Sequence, residues 1–168
     1  MPAFPDWVSA ITSLGGVTVL SLLTVLVAIY FVVARKRTVA LYAVLSISGG
    51  WLISTLLKTA VARPRPNMVP HLVEISDLSF PSEHAMLSAV TYLTLGVLLA
   101  KGRIHSERIY LMGCSVFLTV IVGASRAHLG VHYLSDVIGG WCAGTIWAVL
   151  CWIVANRIFG SGVLRTHH

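Results

Sequence analysis

The sequence predicts an all-α, integral-membrane helical bundle: about five transmembrane helices plus a short N-terminal helix lying in the interface. Three observations lead there. Of 168 residues, 57% are hydrophobic and only 11% are charged, where a soluble domain of this length would carry about 25% charged residues. Apolar runs of bilayer-crossing length recur along the chain, and the mean hydropathy is +0.85. The connections between runs alternate in charge, as they do when successive spans reverse direction.

The elements follow in order. The N-terminus lacks the basic region of a signal peptide, and Pro2, Pro5, Asp6 and Trp7 precede the first apolar run. Residues 1–15 therefore read as an interfacial segment, with a short helix over 4–14. The spans are predicted at 16–34, 39–57, 85–100, 109–124 and 131–155. The third is short unless Pro81 to His84 lead straight into it. Gly49, Gly50, Gly139, Gly140 and Gly144 fall within spans, where small residues let helices approach. The connection over 59–80 is the longest loop and carries Pro64, Pro66, Pro70, Glu74 and Asp77. Long loops in compact proteins tend to be functional, so residues 58–84 are expected to cap the outer end of one single domain, 1–168, that closes with a tail over 158–168. Cys114, Cys142 and Cys151 are odd in number, form no CxxC and lie in apolar runs. They are expected to be buried small hydrophobes, not a disulfide framework or a zinc site.

Charge gives orientation. Twelve Lys and Arg against six Asp and Glu make a net +6. In a chain this apolar that excess sets topology and does not point to nucleic acid. Arg35, Lys36, Arg37, Lys101, Arg103, Arg108, Arg157 and Arg165 share one side, which the positive-inside rule makes cytoplasmic. Lys58, Arg63, Arg65 and Arg126 fall on the opposite side, against the usual bias. Ionisable groups beside a membrane span are costly and mark function by default, and a bound anion would account for these.

Three polar stretches share that outer face: Lys58 to Pro66, Pro81-Ser82-Glu83-His84, and Ser125-Arg126 with His132 and Asp136. His132 and Asp136 are four residues apart and would share a helix face. A carboxylate that accepts one imidazole N–H frees the other nitrogen as a nucleophile, although such a pair also serves to cap a helix. A protonated His84 would supply the proton that a leaving group needs. Ser82 stands where a helix should begin, placed to cap it or to bind an anion with the local N–H groups. Lys58, Arg65 and Arg126 would clamp phosphate oxygens, which arginine forks match bidentately. Residue chemistry leaves open which histidine attacks; the Asp136 partner favours His132.

The order Lys58–x6–Arg65-Pro66, Pro81-Ser82-x-His84, Ser125-Arg126–x5–His132–x3–Asp136 resembles the type 2 phosphatidic acid phosphatase, or lipid phosphate phosphatase, family. It is similar to bacterial members acting on phosphatidylglycerophosphate or undecaprenyl diphosphate. The motifs run from Lys58 to Asp136, about half the chain. The resemblance implies hydrolysis of a lipid phosphate monoester or diphosphate through a phosphohistidine, with no metal or cofactor. His132 would be the nucleophile, Asp136 its orienting group and His84 the proton donor, with Lys58, Arg65, Ser82 and Arg126 holding the phosphate. It also implies a place in the inner membrane with the site facing outward, and membrane lipids as surroundings. The oligomeric state is not fixed by sequence.

Three departures accompany the resemblance. Glu83 stands where the family usually has glycine, and a carboxylate there should weaken anion binding, perturb His84 or point outward. The repeated Arg-Pro offers both Arg63 and Arg65, and the family spacing selects Arg65. Members often have six spans, and five are counted here. His128, between Arg126 and His132, is read as a loop or interface residue. Two rival classes follow from the same residues. One is a lipid-phosphate-binding or transport protein with a degenerate site, to which Glu83 lends standing. The other is a metal-dependent hydrolase ligated by His84, His132 and Asp136, disfavoured by the neighbouring cations and by the lack of HExxH. Vanadium-dependent haloperoxidases share the motif set but are soluble.

Overall fold

The computed structural model describes residues 6–65 and 78–158. Six helices follow one another: α1 Asp6–Ser13, α2 Val17–Val33, α3 Arg37–Val61, α4 Glu83–Ala100, α5 His105–His128 and α6 Leu134–Ile158. No strand occurs among the described residues, as the all-α prediction requires. The expectations at Phe4, Pro66, Pro70, Glu74, Asp77 and Arg165, and for the tail beyond 158, lie outside the described residues.

Four helices, α3 to α6, are long and apolar enough to cross a membrane. The pair of α1 (from Trp7) and α2, bent by 48° at the break between them, makes a fifth. At 17 residues, α2 alone is near the lower limit for a span. The chain is an integral membrane protein, and its surface shows it: Leu22, Leu26, Ile29, Leu52, Leu56, Phe117 and Ile146 are all exposed, which only a lipid environment makes favourable.

Helix bounds differ from the expected spans at the ends that matter. α3 runs on to Val61, so Lys58 lies within its last turn. α5 takes in Arg126 and His128. It stops at Gly130, whose φ of 66° lies in the left-handed region. The expected fifth span starts at 131, but α6 begins at Leu134. The Tyr133 carbonyl accepts from the N–H of Asp136 at 3.0 Å and of Val137 at 3.3 Å, which makes Tyr133 the residue that opens the helix. His132 therefore precedes α6, and its spacing from Asp136 is not a helical repeat.

α4 is the central helix. Its span is 67% buried, against 22% to 44% for α3, α5 and α6. Small residues let α6 lie against it. A Cβ placed on Gly144 would come 2.5 Å from the Met86 carbonyl oxygen, and one on Gly140 would come 2.8 Å from that of Ser82. The facing side chains on α4 are Ala85 and Ala89. The Gly140/Gly144 step thus seats the start of α6 directly on the start of α4. Tryptophans fill two further grooves. Trp141 packs on Gly123 and donates to the Thr119 carbonyl at 3.1 Å; Trp147 packs on Gly49 and donates to that of Ser46 at 2.8 Å. Within the apolar interior, Ser46 and Thr94 share a hydrogen bond of 3.1 Å between α3 and α4.

The cysteines correct one expectation. All three are free, yet Cys142 is exposed and Cys114 and Cys151 are only partly buried. Their apolar surroundings are supplied by lipid as much as by protein.

The α4–α6 contact generates a paired test. Gly144→Val pushes a side chain into main-chain atoms and should lower stability by roughly 1–3 kcal/mol. Gly113, also helical, has nothing within 4 Å of its Cβ position, so Gly113→Ala should raise it by about 0.5–1 kcal/mol. Thermal unfolding in detergent reads both, and opposite signs are expected.

Candidate active site

Alternating helix direction brings four helix ends to one end of the bundle. Lys58 comes from the last turn of α3, Ser82 and His84 from the start of α4, Arg126 from the last turn of α5, and His132 and Asp136 from the start of α6. All six predicted groups from these elements are thus brought together. Arg65, from the connection after α3, lies within electrostatic reach of His84, Arg126 and His132.

The Asp136 carboxylate is wholly buried, and three donors hold it. Arg63 Nη1 donates to Oδ1 at 2.8 Å, while the Ser79 hydroxyl and the Tyr133 N–H, the latter at 3.0 Å, donate to Oδ2. Arg63 also donates to Ser135 Oγ at 2.8 Å and lies over the Tyr133 ring, 4.2 Å from its centre. Main-chain bonds tie the same segments: Ser79 N–H to the Arg63 carbonyl at 2.7 Å, and Ser82 N–H to the Asp136 carbonyl at 3.0 Å. The bond from Tyr133 N–H to the carboxylate three residues on is one half of a capping box. The helix-capping reading of Asp136 is realised together with its place beside His132.

Expectation and structure part here. His132 Nδ1 is 3.7 Å from Asp136 Oδ2, close enough for charge interaction and too long for a hydrogen bond. The carboxylate sits against the imidazole but spends its hydrogen bonds on Arg63, Ser79 and Tyr133. Because His132 lies before α6 and not on it, the i,i+4 geometry that would have brought the ring onto the carboxylate is absent.

His132 is buried. Burial lowers its pKa from 6.5 to about 4; Arg126 and then Arg65 add to this, while the Asp136 carboxylate and the Ser79 main chain oppose it. At neutral pH the ring is uncharged, the form with a free electron pair.

Polar atoms without partners mark the remaining wall. Ser82 Oγ, Arg126 Nε and His132 Nδ1 are each buried and make no hydrogen bond among the described residues. Ser82 opens α4 but does not cap it with its side chain, so the capping alternative fails there. Arg126 directs Nη1 to Thr12 Oγ1 of α1 at 3.3 Å. Glu83 turns to Lys58, with Oε2 and Nζ 2.8 Å apart: the carboxylate that departs from the family pattern acts as counter-ion to one of the cations.

The N-terminal elbow closes the site from the side. A Cβ placed on Gly15 would run into the Val122 side chain of α5, and one on Gly16 would come 3.9 Å from His84 Nε2, so the elbow packs on α5 where position 15 has no room for a side chain and α2 enters alongside His84. The Tyr92 hydroxyl donates to the Leu14 carbonyl at 2.8 Å and fixes the elbow. His128 stacks on Trp7 of α1, ring centres 6.4 Å apart, in keeping with its reading as an interface residue. Sequence reasoning missed Arg63, Ser79 and Thr12. Only Arg63 had a signal, the repeated Arg-Pro, and it was resolved in favour of Arg65.

Comparisons with known proteins give the family and the fold. Residues 38–159 match the family described as the PAP2 superfamily. The chain is 32% identical over 149 residues to phosphatidylglycerophosphatase B of Bacillus subtilis, covering 86% of this chain and 72% of that one. It is 29% identical over 123 residues to an undecaprenyl-diphosphatase of Sulfolobus acidocaldarius, covering 70% of this chain and 56% of the relative. A lipid A 1-phosphatase of Rhizobium etli is 29% identical over 142 residues, with 74% and 56% covered. The crystal structure of a transmembrane PAP2 type phosphatidylglycerolphosphate phosphatase from Bacillus subtilis superposes with a TM-score of 0.84 at 30% identity, covering 94% of this chain and 80% of that one.

The lowered pKa of His132 has a measurable consequence. The folded chain keeps the ring neutral down to about pH 4, whereas an unperturbed histidine takes its proton near 6.5. Between those values the unfolded state binds the extra proton, so this residue withdraws stability as pH falls through that window. Thermal unfolding in detergent at pH 7 and pH 5 should show a smaller acid-side drop for His132→Gln than for the unaltered protein. An equal drop would contradict the assignment.

Proposed function

The chain belongs to the PAP2 superfamily and is a membrane-embedded lipid phosphatase, and from that premise we propose that it cleaves a lipid phosphate monoester or diphosphate through a phosphohistidine on His132. The observation that carries this reading is the pair of buried, unpartnered polar atoms Ser82 Oγ and Arg126 Nε, gathered with Lys58, Arg65, His84 and the His132 ring. Buried polar groups are normally satisfied, and a tetrahedral oxyanion would satisfy these.

The reaction has two steps. His132 Nε2, the nitrogen turned away from Asp136, attacks phosphorus; the bond to the leaving oxygen breaks, and His84 gives that oxygen a proton. His84, now neutral, takes a proton from a water that attacks the same phosphorus. The P–N bond breaks, and inorganic phosphate and neutral His132 are regenerated. Lys58, Arg65, Arg126 and the Ser82 hydroxyl stabilise the equatorial oxygens, where charge accumulates. The start of α4 would add its helix dipole to the same anion. Asp136, fixed by Arg63, Ser79 and Tyr133, stabilises the positive charge that develops on His132. Every one of these roles falls to a residue of the chain, with no metal ion required.

The substrate class is read from the setting. The site opens at a bundle end, so a phosphorylated headgroup would enter while its chain remains in the bilayer. Phosphatidylglycerophosphate and polyprenyl diphosphates are the first candidates, given the relatives' names. Lys36, Arg37, Arg103, Arg108 and Arg157 lie at the opposite end, and this distribution supports a site on the outer, periplasmic or extracellular face of the cell membrane.

A second reading, lipid-phosphate binding without turnover, draws on the Lys58–Glu83 pair, which occupies one cation of the clamp. Phosphate release from a panel of lipid phosphates by the detergent-solubilised protein separates the two. We expect turnover that persists in a strong chelator. His132→Ala and Arg126→Gln should each lower kcat by about 10³-fold, and His84→Ala should accumulate an acid-labile phosphoprotein. Bound substrate without release would select the second reading, and full activity in His132→Ala would falsify the phosphohistidine.

Arg63 supplies a separate expectation. Its loss loosens Asp136 without touching substrate, so Arg63→Gln should lower kcat roughly 10- to 100-fold with KM little changed. Steady-state kinetics on the best substrate of the panel checks the split.

A further inference from the structure

One sizeable cavity lies away from the catalytic end. A space of about 850 Å³ lies at the opposite end of the bundle, within the range of small-molecule sites. Its walls are apolar: Leu93 and Val97 of α4, Met112 of α5 and Trp152 of α6. Two cations stand at its edge, Lys101 just past the end of α4 and Arg108 near the start of α5. The Lys101 ammonium is shielded from solvent and has no hydrogen-bond partner among the described residues. Lys36 is near enough to act on it, with like charge. Glu107, the acidic residue on that side among the described residues, is taken up by Arg103 at 3.7 Å. A buried ammonium without a counter-ion is costly, and nothing described in the chain supplies one.

An apolar chamber ending in unneutralised cations matches one kind of molecule. We propose that this cavity binds an anionic phospholipid of the leaflet opposite the active site. One acyl chain lies along Leu93, Val97, Met112 and Trp152, and the headgroup phosphate accepts from Lys101 Nζ and from Arg108. Charge complementarity selects it: the anion supplies the partner that Lys101 lacks, and Arg108, which is exposed, closes over it from the mouth. A zwitterionic lipid brings its own ammonium into a region already holding Lys36, Lys101 and Arg108 and is disfavoured. The site shares no residue with the catalytic end, and the proposal does not depend on the reaction described above.

The test is thermal unfolding of the purified full chain in non-ionic detergent, titrated with dioleoylphosphatidylglycerol, dioleoylphosphatidylcholine or inorganic phosphate. Phosphatidylglycerol should raise the melting temperature and phosphatidylcholine should have little effect; any rise with inorganic phosphate belongs to the catalytic clamp and should be lost in Arg126→Gln. In Lys101→Gln/Arg108→Gln the half-maximal concentration should rise about 30-fold, from about fivefold per cation facing an anionic lipid. Arg126→Gln, which weakens the catalytic clamp, should titrate with phosphatidylglycerol like the unaltered protein. Val149→Trp places bulk in the cavity from a position already exposed at its wall. It should weaken the response while leaving both cations, so the test stands even where the double variant folds poorly. Three outcomes each overturn the proposal: unchanged titration in the double variant and Val149→Trp, a loss of the phosphatidylglycerol response confined to Arg126→Gln, or an inorganic phosphate effect that equals that of phosphatidylglycerol and survives Arg126→Gln.

Discussion

One buried carboxylate organises the catalytic end. Asp136 has no exposure to solvent, and an ionised carboxyl so placed is tolerable only when its oxygens are matched by donors. Its three donors come from three different segments. Arg63 anchors the chain leaving α3, just beyond Lys58. Ser79 anchors the chain entering α4, just before Ser82 and His84. The Tyr133 N–H anchors the opening of α6, next to His132. Satisfying one charge therefore places members of all three polar stretches. Removing one partner of such a group commonly costs 3–5 kcal/mol, because the remaining charge stays buried, so site geometry and local stability are the same property here.

The scaffold beneath is set by the absence of side chains. Gly140 and Gly144 bring the α6 main chain onto α4, and Gly15 brings the elbow beside His84. Bulk at any of these points would move a helix end, and a helix end is where each charged group sits. The neutral state of His132 follows from this convergence. The ring is buried, and the nearby Arg126 and Arg65 keep a further proton away from it.

Much of this was legible in the chain. The five apolar runs, the all-helical architecture and the position of Lys58, Ser82, His84, Arg126, His132 and Asp136 at one bundle end all follow from hydropathy and loop charge, which depend on composition within a window. What was not legible depends on contacts between distant segments. Arg63 looked like a spare copy of Arg65 because nothing in a spacing says that its fork reaches Asp136, 73 positions later. The helical relation of His132 to Asp136 failed because Gly130 and the Tyr133 cap delay α6 to Leu134, and helix starts are weakly encoded. Thr12 lies in a segment that hydropathy treats as an anchor, yet it meets Arg126. Glu83 was visible as an anomaly, but its direction was not, since three orientations were equally compatible with its place in the sequence.

That orientation sets a rule for what can occupy the site. Glu83 already holds Lys58 at 2.8 Å, so at that position an incoming anion exchanges with a resident carboxylate instead of meeting a bare ammonium. A monocarboxylate gains nothing by such an exchange, because it offers the same two oxygens and the same charge. A phosphate dianion carries twice the charge and a third oxygen. The glutamate is thus a resident counter-ion that any anion reaching Lys58 would have to displace, and it relieves the repulsion among the assembled cations.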